Sequence, residues 1–309
     1  VGIKPNERIA ILGRNSVDYA LLFLGGLRAG ICIVPLSTLA SPHSLASMIN
    51  DSEARLLFVS HAYAEMIAPI ADQLSTLLPD GLKNLDYEGD DRESLESLII
   101  GALTNEVDIS ISLEWGFNLI YSSGTTGVPK GILQNRRFRA LERDMGGLAF
   151  DDTSRGLFST PLYSNTTLVP FLAILSKGGT AFLMEKFDVR NFLIISETEK
   201  ITHAMLVPVQ YERLLNDPDF DLADLSSYQA KFSTSAPLHK QIKQEVLRRW
   251  PAGGLIEGYG MTEGGIVCLL FAHERPDKLD TVGQPAEDCD LKIIDEQGKV
   301  LPQGKIGEV

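Results

Sequence analysis

The chain has 309 residues, 44% hydrophobic and 22% charged, an ordinary globular composition. Its formal charge is −13, from 41 acidic against 28 basic residues, and no Lys/Arg run exceeds Arg136-Arg137 or Arg248-Arg249, which argues against nucleic acid or an anionic membrane surface as partner. Cys32, Cys268 and Cys289 show no CxxC spacing and no apolar run reaches the ~18 residues of a membrane span, so a disulfide framework, a cysteine-rich zinc site and a spanning helix are not expected, and a reducing cytoplasm is.

In chain order, Arg8 to Leu12 reads as a short apolar strand, and Asn15 or Ser16 caps a helix that runs to about Arg28 and ends at Gly30. Ile31 to Val34 is the next strand. Ser41-Pro42 opens a second helix, with serine as cap and proline in the first turn. Arg55 to Ser60 reads as a third strand and residues 62–78 as a helix. Residues 80–105 are polar, acidic and poorly periodic, and read as a surface excursion. Strands are then expected at Phe117 to Tyr121, Leu157 to Thr160, Thr180 to Met184, Ala204 to Val207, Lys231 to Ser233 and Leu255 to Tyr259, with an amphipathic helix from Leu238 to Trp250. The tail from Thr281 is rich in β and turn signals. Strands alternating with helices define an α/β chain with mostly parallel sheets. Its length favours two packed subdomains over one core. Their expected limits are 1–110 and 111–280, with the start of a β-rich subdomain at 281–309. The chain begins at Val1 without an initiator Met and stops at Gly307-Glu308-Val309, which reads as the start of a strand, so a fragment of a longer protein is expected.

The most informative stretch runs from Leu119 to Gly131, LIYSSGTTGVPKG. A strand leads into four hydroxyl residues, Ser122, Ser123, Thr125 and Thr126, interleaved with Gly124 and Gly127, and the loop closes on Pro129-Lys130. Glycines let backbone N–H groups approach an anion closely, hydroxyls donate or ligate a cation, and Lys130 adds a compact positive charge. The set suits the β- and γ-phosphates of a nucleotide. It is not a Walker A loop, because no Gly-Lys-Ser/Thr follows at the required spacing. A flexible surface loop of the same composition is the competing explanation.

The stretch from Leu119 to Lys130 resembles, at every position, the signature of the adenylate-forming superfamily of acyl-CoA synthetases, firefly-type luciferases and peptide-synthetase adenylation domains. Ser235-Ala236-Pro237 resembles the loop along the adenine in that family. Glu257-Gly258-Tyr259-Gly260-Met261-Thr262-Glu263 resembles its second signature. Weaker matches at Asn15 to Pro35, Pro161-Leu162-Tyr163, Val282-Gly283-Gln284-Pro285 and Leu301-Pro302-Gln303-Gly304 carry the likeness over nearly the whole chain. The resemblance implies two helix-flanked sheets and activation of a carboxylic acid as acyl-AMP, with coenzyme A as acceptor in the parent protein. An adenylation domain loading a carrier protein and a catalytically dead nucleotide-binding fragment remain the alternatives.

Residue roles follow from the same likeness. The nucleotide is expected on Ser122 to Gly127, Lys130, Ser235 to Pro237 and Glu257 to Thr262. Tyr259 offers a flat ring for adenine, although a core tyrosine at a strand end explains the residue equally. Thr262 can donate to the α-phosphate, and Glu263 supplies a hard oxygen suited to Mg²⁺, which the resemblance assigns jointly to Thr126. Thr126, Lys130 and Glu263 are the expected catalytic set. The acid pocket is expected at Tyr163, Ser164, Val207, Gly258 and Gly264. Many relatives carry histidine at the position of Ser164, so a more polar or roomier entrance is expected. The aspartate with which amino-acid-activating relatives pair the substrate ammonium is missing, which favours a plain fatty or aromatic acid. The substrate carboxylate is itself the nucleophile, in keeping with the absence of a Ser/His/Asp or Cys/His arrangement; His203 is expected to pack at a strand entrance. Expected partners are ATP, the acid and CoA, and a homodimer is left open. The family's ribose-binding aspartate, hinge and C-terminal lysine domain lie outside the 309 residues, so the chain alone is expected to bind ATP weakly and turn over negligibly.

Overall fold

The computed structural model describes residues 2–86, 93–100, 102, 104, 109–122, 129–143, 150–287 and 289–309, with the side chains of 141–143 left aside. The elements are β1 (Arg8–Leu12), α1 (Val17–Arg28), β2 (Cys32–Pro35), α2 (Pro42–Asp51), β3 (Leu56–Val59), α3 (Ala64–Ile67), β4 (Leu82–Asn84), α4 (Leu95–Ile99), β5 (Gly116–Ser122) and β6 (Lys130–Asn135). They continue with α5 (Arg136–Arg143), β7 (Arg155–Phe158), α6 (Asn165–Ser176), β8 (Thr180–Leu183), α7 (Val189–Thr198), β9 (His203–Leu206), α8 (Pro208–Leu215), β10 (Ala230–Ser233), α9 (Lys240–Arg249), β11 (Gly254–Met261), β12 (Gly265–Phe271) and β13 (Gln284–Pro285).

Two sheets result. The first has the order β4-β3-β1-β2-β5-β6 and the second β13-β12-β11-β10-β9-β7-β8. Each is a parallel run ended by an antiparallel hairpin: β5 pairs antiparallel with β6, and β11 with β12. The chain changes sheet between Asn135 and Arg155, because β5 and β6 still belong to the sheet of β1. Cores follow the layers. Ile9, Ile11 and Phe58 of the first sheet and Phe158, Phe232 and Ile256 of the second bury one shared layer, filled by Phe23 of α1 and Phe171 of α6. The outer face of the first sheet packs on Leu45 and Ile49 of α2, and that of the second on Phe192, Leu214 and Val246 of α7, α8 and α9. The parallel strands are apolar on both faces because both faces are covered.

Local chemistry explains most element ends. Ser16 Oγ accepts from Tyr19 N at the start of α1, and Ser41 Oγ accepts from Ser44 N with Pro42 in the first turn of α2. Residues 62–78 do not form one helix. The segment breaks into a 3₁₀ turn at His61–Tyr63, the short α3 and a 3₁₀ run at Ala68–Gln73, with Pro69 lacking the N–H a continuous helix needs. Part of the expected excursion at 80–105 is a sheet strand, β4, whose Lys83 and Asn84 are buried. Lys83 Nζ donates to Glu93 Oε2 at 2.6 Å.

His203 is buried against Phe150 and Phe232, with Nδ1 2.7 Å from Thr202 Oγ1. Burial pushes its pKa down to about 4, so the ring is neutral and structural, as its sequence context indicated. Among the described residues no helix is long and apolar enough to cross a membrane. All three cysteines are free.

Candidate functional site

The two hairpins that end the parallel runs meet at one cavity of about 820 Å³. From the first sheet it takes Ile120, Tyr121 and Ser122 of β5 and Pro129; from the second, Phe232 and Ser233 of β10 and Ile256, Gly258, Gly260, Met261 and Thr262. The volume falls within the range of ordinary small-molecule sites. Ser123, Gly124, Thr125, Thr126 and Gly127 lie outside the described residues, so the expected loop is seen only through its two stems, Ser122 and Lys130, which pair across the hairpin.

Helix starts also face the cavity. Ser41 and Ser44 at the N-terminus of α2, and Ser164, Asn165 and Thr166 at that of α6, line it. Ser164 Oγ caps α6 by accepting from Thr166 N. Helix N-termini present free N–H groups and partial positive charge, which favours anionic ligands in a protein of net charge −13. Tyr163 and Ser164 are held in place from below. Asn15, buried in the turn before α1, donates from Nδ2 to the carbonyls of Thr160 and Met184 at 2.8 and 3.1 Å, and its Oδ1 accepts from Leu162 N at 2.8 Å. One side-chain amide thus fastens the loop before Tyr163 to the turn after β1. Tyr121 fixes the other wall: its hydroxyl lies 2.6 Å from Asp51 Oδ2 and 3.0 Å from the Met48 carbonyl oxygen, tying β5 to the last turn of α2.

The second signature occupies the β11–β12 hairpin, where side-chain alternation separates its residues. Ile256 and Gly258 line the cavity; Glu257 and Tyr259 do not. Glu257 is 3% exposed, its Oε1 accepts from Leu238 N at 2.8 Å, and its carboxylate pairs with the buried Lys243 of α9. Lys243 Nζ also donates to the carbonyls of Leu279 and Thr281. The Glu257 carboxylate therefore anchors the loop Ser235-Ala236-Pro237 from inside the protein and does not face the cavity. That loop is exposed, with Ser235 at φ 75° and its Oγ 2.6 Å from Thr166 Oγ1. Tyr259 is 37% exposed, Thr262 lines the cavity, and Glu263 is exposed with no hydrogen bond or ion pair among the described residues. Lys130 is likewise exposed.

Of the expected acid-pocket residues, Tyr163, Ser164 and Gly258 line the cavity, whereas Val207 and Gly264 do not. Sequence reasoning missed Asn15 as a clamp, Tyr121, and Gln134 of β6, whose Nε2 donates to the Thr262 carbonyl at 2.6 Å across 128 residues of sequence. Tyr121 lies within the first signature and Asn15 opens a weaker match, but neither motif indicates these contacts, and Gln134 lies outside every quoted motif.

Two α/β sheet layers, with the β5–β6 stems that flank the hydroxyl- and glycine-rich segment and the second signature hairpin lining one cavity, are the arrangement expected of an adenylate-forming type of domain. The chain belongs to the AMP-binding enzyme family, whose profile matches residues 1–309. It is 29% identical to 4-coumarate–CoA ligase CCL1 of Humulus lupulus, covering 100% of this chain and 58% of that protein. It is 30% identical to a feruloyl-CoA synthase of Amycolatopsis sp, covering 100% of this chain and 60% of the other. Among solved structures, the anthranilate CoA ligase AuaEII in complex with anthranoyl-AMP superposes with a TM-score of 0.89 at 25% identity, over 99% of this chain and 60% of that one. The N-terminal domain of FACL13 from Mycobacterium tuberculosis shares the fold, with a TM-score of 0.85 at 21% identity over 97% of this chain and 74% of that one. The chain thus spans about three-fifths of the length of the curated relatives it matches.

Proposed function

We propose that the chain is the ATP- and acid-binding part of an AMP-forming acid–thiol ligase that activates an aryl carboxylic acid and passes it to coenzyme A. The supporting observation is one cavity lined by Ser122 and Pro129 at the ends of the phosphate loop and by Thr262, together with Tyr163, Ser164 and Gly258. An aryl acid is favoured over a fatty one by the relatives named for coumarate and ferulate and by the neighbour holding anthranoyl-AMP.

In this reading the acid enters the apolar part of the cavity beside Phe232, Met205 and Ile256, with its carboxylate toward the helix starts of α2 and α6. The carboxylate oxygen attacks the α-phosphorus of ATP, an O–P bond forms, the bond to the β-phosphate oxygen breaks and pyrophosphate leaves. No proton moves, so no side-chain base is required. The work of the protein is alignment and stabilisation of negative charge. Thr262 donates to the α-phosphate, and Ser122 to Gly127 with Lys130 hold the leaving group. Adenine rests between the exposed Tyr259 ring and the loop Ser235-Ala236-Pro237, which Glu257 steadies from within. Glu263, next to the cavity-lining Thr262 and with no partner among the described residues, offers a hard oxygen donor of the kind Mg²⁺ takes, and would hold the ion together with Thr126. When bound, the ion screens the two anions from each other. The CoA sulfur, its thiol proton given up to solvent, then attacks the acyl carbonyl; the C–S bond forms, the acyl C–O bond to phosphate breaks and AMP leaves. Cytoplasmic residence fits the three unpaired cysteines.

The assignment is tested by calorimetric titration of the purified 309 residues with acyl-sulfamoyl adenosines, stable mimics of the acyl-adenylate. Coumaroyl and anthraniloyl forms are expected to bind at least tenfold more tightly than a dodecanoyl form. A preference for the dodecanoyl compound contradicts the aryl assignment, and no binding of any of them contradicts the adenylate reading.

A further inference from the structure

Behind the cavity wall lies a buried polar network that the reaction just outlined does not use. Asn118 of β5, Gln134 of β6 and Arg139 of α5 are 0%, 3% and 6% exposed. Arg139 Nε donates to Asn118 Oδ1 at 2.9 Å, and its Nη2 donates to Gln134 Oε1 and to Asn165 Oδ1, each at 2.5 Å. Asn118 Nδ2 donates to Gln134 Oε1 at 3.0 Å, and Gln134 Nε2 donates to the Thr262 carbonyl at 2.6 Å.

These partners remove the usual freedom of an amide to turn over. A guanidinium offers only donors, so every oxygen it meets must be an acceptor. Arg139 therefore requires Gln134 and Asn118 to present their carbonyl ends to it. Turning Gln134 would set its NH₂ against Asn118 NH₂ and against Arg139. With Oε1 fixed in this way, the N–H end of Gln134 must point at Thr262. The same guanidinium holds Asn165, the first residue of α6 and part of the cavity wall. Buried and mutually satisfied networks of this kind specify a single arrangement.

We propose that Gln134, oriented by Arg139, is a positioning residue that keys the turn carrying Thr262 to the hairpin carrying the phosphate loop. Gln134 stands four residues beyond Lys130 on β6, so the link fixes the phosphate-loop stem and Thr262 at one mutual distance. This rests on the adenylate reading above.

The test replaces Gln134→Glu. The carboxylate still accepts from Asn118 and Arg139 but has no N–H for the Thr262 carbonyl, so the fold is kept and only the link is cut. Two readouts are taken: hydrogen exchange of the 260–265 turn, which needs no ligand, and affinity for coumaroyl-sulfamoyl adenosine beside affinity for free coumarate. Exchange in the turn is expected to rise at least tenfold with the rest of the chain unchanged, and adenylate affinity to fall at least tenfold with coumarate affinity retained. Unaltered exchange, or a parallel loss of both ligands together with global stability, overturns the assignment. A wild-type chain that binds no analogue overturns the adenylate reading and with it the role in the reaction, and the exchange rates distinguish that from failure of the Gln134 link. If the glutamate variant does not fold, Gln134→Met is judged by the same two readouts.

Discussion

Lys243→Met is expected to lower the unfolding free energy by ~3–5 kcal/mol, because it strands a carboxylate in the interior. The side chains of Lys243 and Glu257 are 3% and 4% exposed, so water cannot take over when the ammonium is removed. The same ammonium also satisfies the carbonyls of Leu279 and Thr281. The ion pair as a whole adds little, since desolvation offsets most of its attraction, and the loss comes from breaking it. Lys243→Met/Glu257→Gln should therefore recover more than half of the deficit: the glutamine carbonyl still accepts from Leu238 N, and no charge is left buried. Urea denaturation of the two variants checks this. A single variant that loses less than about 1 kcal/mol, or a double variant no better than the single, contradicts it, since breaking a buried pair should be a large effect.

Gly260→Ala should be nearly as damaging. A Cβ on Gly260 would lie 2.1 Å from the Gly265 carbonyl oxygen and 2.8 Å from Ile266 Cα, both main-chain atoms of the facing strand. Neither can yield without opening the β11–β12 ladder, which places the cost at the upper end of overpacking, about 3 kcal/mol. Thr262 sits in the turn of that hairpin, so adenylate affinity should fall with stability. Gly264→Ala in the same turn is the control. Its added methyl would find only Met261 Cγ, at 3.6 Å, and should change stability by less than ~0.5 kcal/mol. Equal thermal shifts in the two variants would show that the close approach of the strands is not what requires glycine at 260.

Much of the fold was legible because its signals are local. The apolar runs of β1, β3, β8 and β9 and the serine caps of α1 and α2 lie within a residue or so of where the sequence places them, whereas β7 starts two residues earlier than expected. The partners β6 and β12 were not read. Gly131, the exposed Leu133 and the buried Gln134 break any regular alternation in β6, and pairing across a hairpin is what makes the segment a strand. At the site, the glycine- and threonine-rich loop and the tyrosine signature were legible as motifs, but motif membership does not say which way a side chain points. Glu257 sits within a nucleotide signature and yet turns inward to Lys243, a consequence of strand alternation set by Ile256 and Gly258 facing the cavity. The contacts of Asn15, Gln134 and Arg139 were invisible for a different reason. Their partners lie 145, 128 and 21 residues away, and only folding brings them together.

The central claim is that the phosphate-loop hairpin and the Thr262–Glu263 turn act on one nucleotide and one cation. A double-mutant cycle of Thr126→Val and Glu263→Ala, read as ATP affinity of the folded chain with and without Mg²⁺, tests it most directly. Each single variant should lose the Mg²⁺-dependent gain in affinity, and the double variant should be no worse than the weaker single, a coupling within the 0.5–3 kcal/mol or so typical of residues sharing a partner. Losses that simply add, or a Glu263→Ala variant that keeps the full Mg²⁺ effect, would mean that the two segments do not share the ion.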